Sequence, residues 1–245
     1  MNKTPILAHR GYSAQFPENT LKAFREALEQ GADGIELDVQ KTSDGEFAVI
    51  HDPDMYRLFG EQHRINQVTM SSLLSSHSDP ELSVPRLDLL LEELSRDAAP
   101  GTIINVELKS ETITAEDFPR LNAMLQPWTG HYRFVISAFN HQLLVNFAAG
   151  GYRVGMLVGE EHRKGGIPAL ASAIRRIRPF SIHLPRQIFH ELGPVPRFLL
   201  FMYLRIHRVK IVFWTVNGRR EFERLARLSW AVISDYPRKD LLELP

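Results

Sequence analysis

The 245-residue chain has no cysteine, no apolar run long enough to cross a bilayer, no glycine-rich phosphate turn and no excess of either charge. Without cysteine there is no disulfide, no thiol nucleophile and no thiolate metal site, so any metal must sit on Asp, Glu or His. The longest apolar run, residues 198–204, has seven residues, against the ~18 that a membrane-spanning helix needs. Neither a GxGxxG turn nor a P-loop occurs. The turn after the first strand-like run is His9-Arg10-Gly11-Tyr12, which argues against a doubly wound nucleotide-binding sheet. Lys and Arg number 29, as do Asp and Glu, so a general polyanion binder, nucleic acid included, is not expected. The start, Met1-Asn2-Lys3-Thr4-Pro5, lacks the long apolar core and cleavage site of a leader, and a cytoplasmic protein is expected.

What is present is an ordinary globular composition, 44% hydrophobic and 24% charged, in which a full core can be buried without staples. The balanced charge hides an asymmetry. Residues 1–122 hold 11 basic and 21 acidic residues, a net of −10, and residues 123–245 hold 18 and 8, a net of +10. Two modules of opposite charge, or one closed fold whose halves attract, would both give this. No Pro/Gly/Ser-rich linker divides the halves, so one domain over 1–245 is expected.

Short β-rich runs alternate with helical spacing. The pattern predicts strands at 5–9, 34–40, 46–50, 102–108, 132–137, 152–157, 180–184, 210–216 and 230–234. Helices are predicted at 20–30, 87–97, 116–126, 140–149, 168–177, 195–207, 218–227 and 238–243. If 46–50 is a hairpin partner of 34–40, eight strands remain, each followed by a helix, which predicts a TIM (β/α)8 barrel. Glu18-Asn19-Thr20 supplies cap candidates for the first helix, and Gly31 stops it. The polar segment 52–85 breaks the rhythm and is expected to be an insertion on the active-site face.

The chemistry concentrates at strand ends. In Ile35-Glu36-Leu37-Asp38-Val39 apolar and acidic residues alternate, so the two carboxylates share one face, about 6–7 Å apart at their α-carbons. On an edge strand they would face water; in a barrel they point inward and require a cation. Ile103-Ile104-Asn105-Val106-Glu107-Leu108-Lys109 tips the balance, adding a third carboxylate and a lysine to the inward face. Three carboxylates on neighbouring strand ends make an oxygen site for a hard divalent metal, Mg²⁺ or Ca²⁺. Lys109 either meets an anionic substrate or pairs with Glu107 or Glu36. His9 and His51 end strand-like runs beside these acids, where proton transfer is wanted. The other eight histidines fall in helices or loops without acidic company, His183 on the sixth barrel strand excepted.

Seven motifs in order, His9-Arg10-Gly11, Pro17-Glu18-Asn19-Thr20, Glu36-Leu37-Asp38-Val39, His51-Asp52-Pro53, Val106-Glu107-Leu108-Lys109, Trp214-Thr215-Val216-Asn217 and Ser234-Asp235-Tyr236-Pro237, span nearly the whole chain. The series resembles that of the glycerophosphodiester phosphodiesterase family. The resemblance implies a TIM barrel with a segment inserted after the second strand. It implies metal-binding roles for Glu36, Asp38 and Glu107, and acid/base roles for His9 and His51. Arg10 and Lys109 would bind phosphate, and Trp214 would form an aromatic wall. Glu18 occupies a motif position that could equally cap a helix, and Asp52 either orients His51 or caps a turn. Stretch 158–200 carries no family landmark, Arg86 stands where the family often has threonine, and Leu228-Ser229-Trp230-Ala231 replaces a glycine-led turn. These departures leave the preferred alcohol open.

The implied reaction is metal-dependent hydrolysis of a small glycerophosphodiester to glycerol 3-phosphate and an alcohol. The attacking oxygen would be a water on the metal or, as the resemblance favours, the substrate's own glycerol 2-hydroxyl by way of a cyclic phosphate. A lysophospholipase D acting at a membrane surface is the enzymatic alternative. Its candidate contact is the run 198–204, apolar around the whole helix, which would otherwise be covered by a neighbouring helix or a dimer partner. A catalytically dead barrel serving as a binding module is the third reading, and the intact His9, His51, Glu36, Asp38 and Glu107 argue against it.

Overall fold

A computed structural model describes residues 4–76, 82–159, 162 and 166–244; His77 lies outside them. The period-two runs form nine strands: β1 (Ile6–His9), β2 (Gly34–Lys41), β3 (Phe47–Val49), β4 (Ile103–Leu108), β5 (Arg133–Ala138), β6 (Arg153–Leu157), β7 (Ser181–Pro185), β8 (Lys210–Trp214) and β9 (Ala231–Ser234). Eight of them pair in parallel in the order β1-β2-β4-β5-β6-β7-β8-β9, and β1 pairs with both β2 and β9, which closes the ring. β3 lies antiparallel on β2, with Val39 opposite Val49. The fold is the TIM barrel that the alternation predicts.

Helices between strands cover the ring: α1 (Leu21–Glu29), α2 (Tyr56–Phe59), α3 (Met70–Ser75), α4 (Leu87–Leu94), α5 (Phe118–Leu125), α6 (Leu144–Ala149), α7 (Gly166–Ile177), α8 (Arg186–Glu191), α9 (Pro194–Ile206), α10 (Arg219–Leu225) and α11 (Arg238–Leu241). Of the three cap candidates for α1 it is Thr20 that serves: its hydroxyl accepts from the Ala23 N–H at 3.2 Å. Helix α8 was not expected. Pro194, which has no N–H, opens α9 as a separate helix at its first turn. The expected strand 210–216 stops at Trp214, where the backbone leaves the ladder. No helix among the described residues is long and apolar enough to cross a membrane.

Strand alternation sorts the side chains. Ile6, Ala8, Ile35, Leu37, Val39, Ile104, Val106 and Leu108 face outward and join the helices in the main core. Inside the ring, Leu7, Ile103, Val135, Val212, Ala231 and Ile233 form an apolar plug. Further along the strands the interior turns polar: Asn105, Ser137, Ser181 and His183 are all buried. Asn105 donates to Ser137 Oγ at 3.0 Å, and His183 Nε2 lies 3.0 Å from Ser181 Oγ. The His183 ring occupies the space that a side chain on Gly155 would need. The described residues of segment 52–85 pack on a smaller cluster that includes Ile50, Met55, Ile65, Met70, Leu73 and Val84. Arg86 is held by Asp88 at 2.6 Å, and Trp230 stacks edge-on against Phe180.

Two outcomes follow from the polar layer. A Cβ on Gly155 would sit 2.3 Å from His183 Nε2, so Gly155→Ala is expected to cost about 1–3 kcal/mol in a denaturant titration. Burial pushes the His183 imidazole down to about 3 from its ordinary 6.5. The unfolded chain therefore binds a proton that the folded chain refuses between those values. Its contribution to stability is complete above pH 6.5 and is lost as pH falls towards 3, on the order of 4 kcal/mol in all. Unfolding measured across that window should depend less on pH in His183→Gln than in the parent.

Candidate active site

The C-terminal ends of β1, β2 and β4 bring three carboxylates together. The register sets His9 beside Glu36 and Asp38 beside Glu107. One oxygen from each of Glu36, Asp38 and Glu107 lies within 4.8 Å of the others, and all three residues are buried. Two cations meet them. Lys109 Nζ is 2.7 Å from Asp38 Oδ1 and also donates to Glu107. Arg10 Nε is 3.1 Å from Asp38 Oδ2, without the alignment of a hydrogen bond, and Arg10 Nη1 donates to Glu18 at 3.0 Å. Arg10 adopts a left-handed backbone (φ 56°) that turns its amide onto Glu36, 2.9 Å from the main-chain oxygen and 3.1 Å from Oε2. The following Gly11 (φ 84°) lies so near α1 that a Cβ would be 2.6 Å from the Ala23 carbonyl carbon.

Three buried acids against two cations leave an imbalance, and the protonation pattern follows it. Burial, with the charge of Asp38 alongside, pushes the Glu36 carboxyl up to about 8. Burial also raises Glu107. Burial opposes the Asp38 charge too, but Lys109 and Arg10 outweigh it and hold that carboxyl far below its usual range. A proton on Glu36 thus occupies the role of a missing positive charge. Hard oxygen donors at this spacing fit a divalent cation such as Mg²⁺ or Ca²⁺.

The two histidines flank this cluster in unlike settings. His9 Nδ1 lies 2.7 Å from Asp235 Oδ1. Asp235 accepts in turn from Ser13 Oγ at 3.2 Å and from the Asn217 side-chain amide. Burial disfavours the charged His9 ring, but the Asp235 bond leads the interactions that prevail and raise it above the ordinary histidine value. His51 Nδ1 lies 2.7 Å from Asp52 Oδ1. Burial lowers His51, and Lys109 and Arg10 push the same way against Asp38 and Asp52. Arg57 draws Asp52 away, pairing with both it and Glu18. A cavity of about 530 Å³ opens here, lined by His51, Glu107, Lys109, Glu111, Phe139 and Asn140. Trp214 meets Phe139 edge-on at 6.0 Å. Nine of the ten side chains singled out in the sequence thus lie together, and Trp214 reaches them only through Phe139. Two other cavities, about 470 and 850 Å³, are lined by none of Glu36, Asp38 and Glu107.

Residues 9–239 match the Glycerophosphoryl diester phosphodiesterase family. The chain belongs to that family. It is an enzyme of that class. A glycerophosphodiester phosphodiesterase of Caldanaerobacter subterraneus is 29% identical, over 96% of this chain and 95% of its own. Among solved structures, a family member from Thermotoga maritima superposes with a TM-score of 0.82 at 30% identity, over 99% of this chain and 98% of that one. An Oleispira antarctica phosphodiesterase, solved in complex with the product sn-glycerol-3-phosphate, shares the fold at 23% identity, with a TM-score of 0.80 over 98% and 96%.

Several residues of this phosphodiesterase site escaped the sequence reading. Asn19, read as a cap candidate, has a left-handed backbone (φ 58°) and donates to Asp38 Oδ2 at 2.9 Å. Asp235 and Asn217 stood inside quoted motifs, but only ring closure brings them to His9. Arg57 had no signal in the polar segment, nor had Gln40, which donates to the His51 carbonyl at 2.9 Å. Glu18 caps no helix and is held between Arg10 and Arg57. His190, expected to lack acidic company, is 3.2 Å from Glu221, which α10 carries across the groove between helices.

The unlike settings have a measurable consequence. In a titration followed by NMR, His9 is expected to lose its proton above the ordinary histidine value and His51 below it, so between the two His9 is charged and His51 neutral. Asp235→Asn removes the negative charge that makes this bond favour protonated His9 and should bring its titration down, leaving His51 in place. Coincident titration of the two rings in the parent protein would contradict this reading.

Proposed function

We propose that the chain hydrolyses glycerophosphodiesters to glycerol 3-phosphate and an alcohol, with His51 as base, His9 as acid and a divalent cation on Glu36, Asp38 and Glu107. The observation that carries this reading is a buried cluster of three carboxylates accompanied by two histidines, each with an aspartate on Nδ1 at 2.7 Å. The product complex of the Oleispira relative supports the substrate class. When bound, Mg²⁺ or Ca²⁺ supplies Lewis acidity that neutralises the phosphodiester oxygens. Arg10 and Lys109 add fixed positive charge where negative charge grows in the transition state.

His51 removes the proton from the substrate's glycerol 2-hydroxyl, whose oxygen forms a bond to phosphorus. The bond from phosphorus to the leaving alcohol breaks, and His9 gives that oxygen its proton. Water then opens the cyclic phosphate with the histidine roles reversed, His9 taking a proton and His51 returning one. Asp235 keeps the His9 ring charged and oriented, and Asp52 aligns His51 while Arg57 limits its pull. Trp214 and Phe139 wall the alcohol side. We read residues 1–245 as one domain in which 52–85 is an insertion on the active-site face, supplying Asp52 and Arg57.

Glu36→Gln keeps the volume but removes a ligand charge, so turnover of glycerophosphocholine is expected to fall steeply and to recover in part at high Mg²⁺ or Ca²⁺. Chelator resistance of the parent would overturn the metal assignment. His9→Ala and His51→Ala should each lose roughly 10²–10⁴-fold in turnover. On a nitrophenyl ester, whose leaving group needs no proton, His9→Ala should recover and His51→Ala should not. The opposite pattern would exchange the roles.

A further inference from the structure

Helix α9 has one face that the rest of the chain leaves bare. Leu200 and Leu204 are buried against the barrel, and Phe201 and Tyr203 are half-buried. The opposite face carries Val195, Phe198, Leu199, Met202 and Ile206, exposed by 66, 63, 58, 40 and 69%. Their spacing places them in one stripe along the helix. They are five of the nine large apolar side chains exposed among the described residues.

The segment that carries this stripe is one-sided in charge. Between residues 166 and 210 eight Lys and Arg residues face a single acid, Glu191. Arg176, Arg178, Arg205, Arg208, Lys210 and Arg227 are exposed, and among the described residues none of them is in an ion pair. Arg25, Lys41, Arg86, Arg96 and Arg120, in the acidic half, each meet a carboxylate. The unpaired cations sit where α7, α9 and α10 end, at the end of the barrel opposite the catalytic mouth.

We propose that the outer face of α9, with the arginines at its foot, docks on an anionic phospholipid surface. A helix lying in the plane of a bilayer buries an apolar stripe and sets its cations against the headgroups, which is the combination found here. A two-fold dimer through the same face would oppose two sets of unpaired cations. Because the mouth lies at the other end of the barrel, docking leaves the active site open.

The test is flotation of the whole protein with phosphatidylcholine vesicles, with and without phosphatidylglycerol. The parent is expected to float with the phosphatidylglycerol vesicles, to bind phosphatidylcholine alone weakly, and to release as salt rises. Phe198→Ser/Met202→Ser should weaken binding by about tenfold or more. Arg205→Ala/Arg208→Ala should weaken it by roughly fivefold per cation. Both double variants should keep parental turnover of soluble glycerophosphocholine, which certifies the fold. Failure of the parent to float with phosphatidylglycerol vesicles overturns the proposal, as does unchanged binding by both variants. A dimer in sedimentation equilibrium that dissolves in Phe198→Ser/Met202→Ser, without vesicle binding by the parent, would assign the face to a second copy instead.

Discussion

Three carboxylates buried at adjacent strand ends, with two cations to answer them, set the terms for everything around them. Glu36, Asp38 and Glu107 cannot all be charged in a site this dry unless further positive charge is present. Lys109 reaches back along its own strand to meet two of the acids. Arg10 accepts a left-handed backbone so that its amide and guanidinium serve different acids. Asn19, in the same uncommon conformation, spends its side-chain amide on Asp38 rather than on capping α1. Two non-glycine residues in the left-handed region, both contacting Asp38, mark where local backbone preference yields to electrostatics.

The same logic separates the two histidines. Each has an aspartate on Nδ1 at 2.7 Å, so the contact alone does not distinguish them. What differs is the company of the aspartate. Asp235 accepts from a hydroxyl and an amide, neutral groups that leave its charge available to His9. Asp52 shares its charge with Arg57, and both Lys109 and Arg10 oppose a charge on His51. The opposite tendencies of the two rings are thus set by neighbours one contact removed from them.

Much of this was legible in the sequence because alternation on a strand fixes which side chains share a face. Spacing put Glu36 with Asp38 and Glu107 with Lys109 on shared faces, the barrel reading turned those faces inward, and His9 and His51 followed as strand ends. The barrel was legible from eight strands alternating with helices. What could not be read was the pairing between distant segments. Arg57 reaches Glu18 from a stretch with no periodicity, and Asp235 lies 226 residues from the His9 it meets. Short helix α8 was hidden because its residues continue the apolar pattern of their neighbours until Pro194 divides them. The bare face of α9 was not legible either, since seven apolar residues in a row do not tell which of them a neighbour will cover.

The contact between His9 and Asp235 joins the first strand of the ring to the segment just beyond the last. Such a contact forms only when the ends of the chain meet, across nearly the whole contour and at the full entropic cost of a long loop. A partly synthesised chain, a molecule nicked and opened at the β1–β9 seam, or one whose final strand has frayed would retain the carboxylates and both histidines yet lack the partner that charges His9. Under the proposed mechanism turnover is a gauge of ring closure itself, and in such molecules it should vanish before secondary structure does.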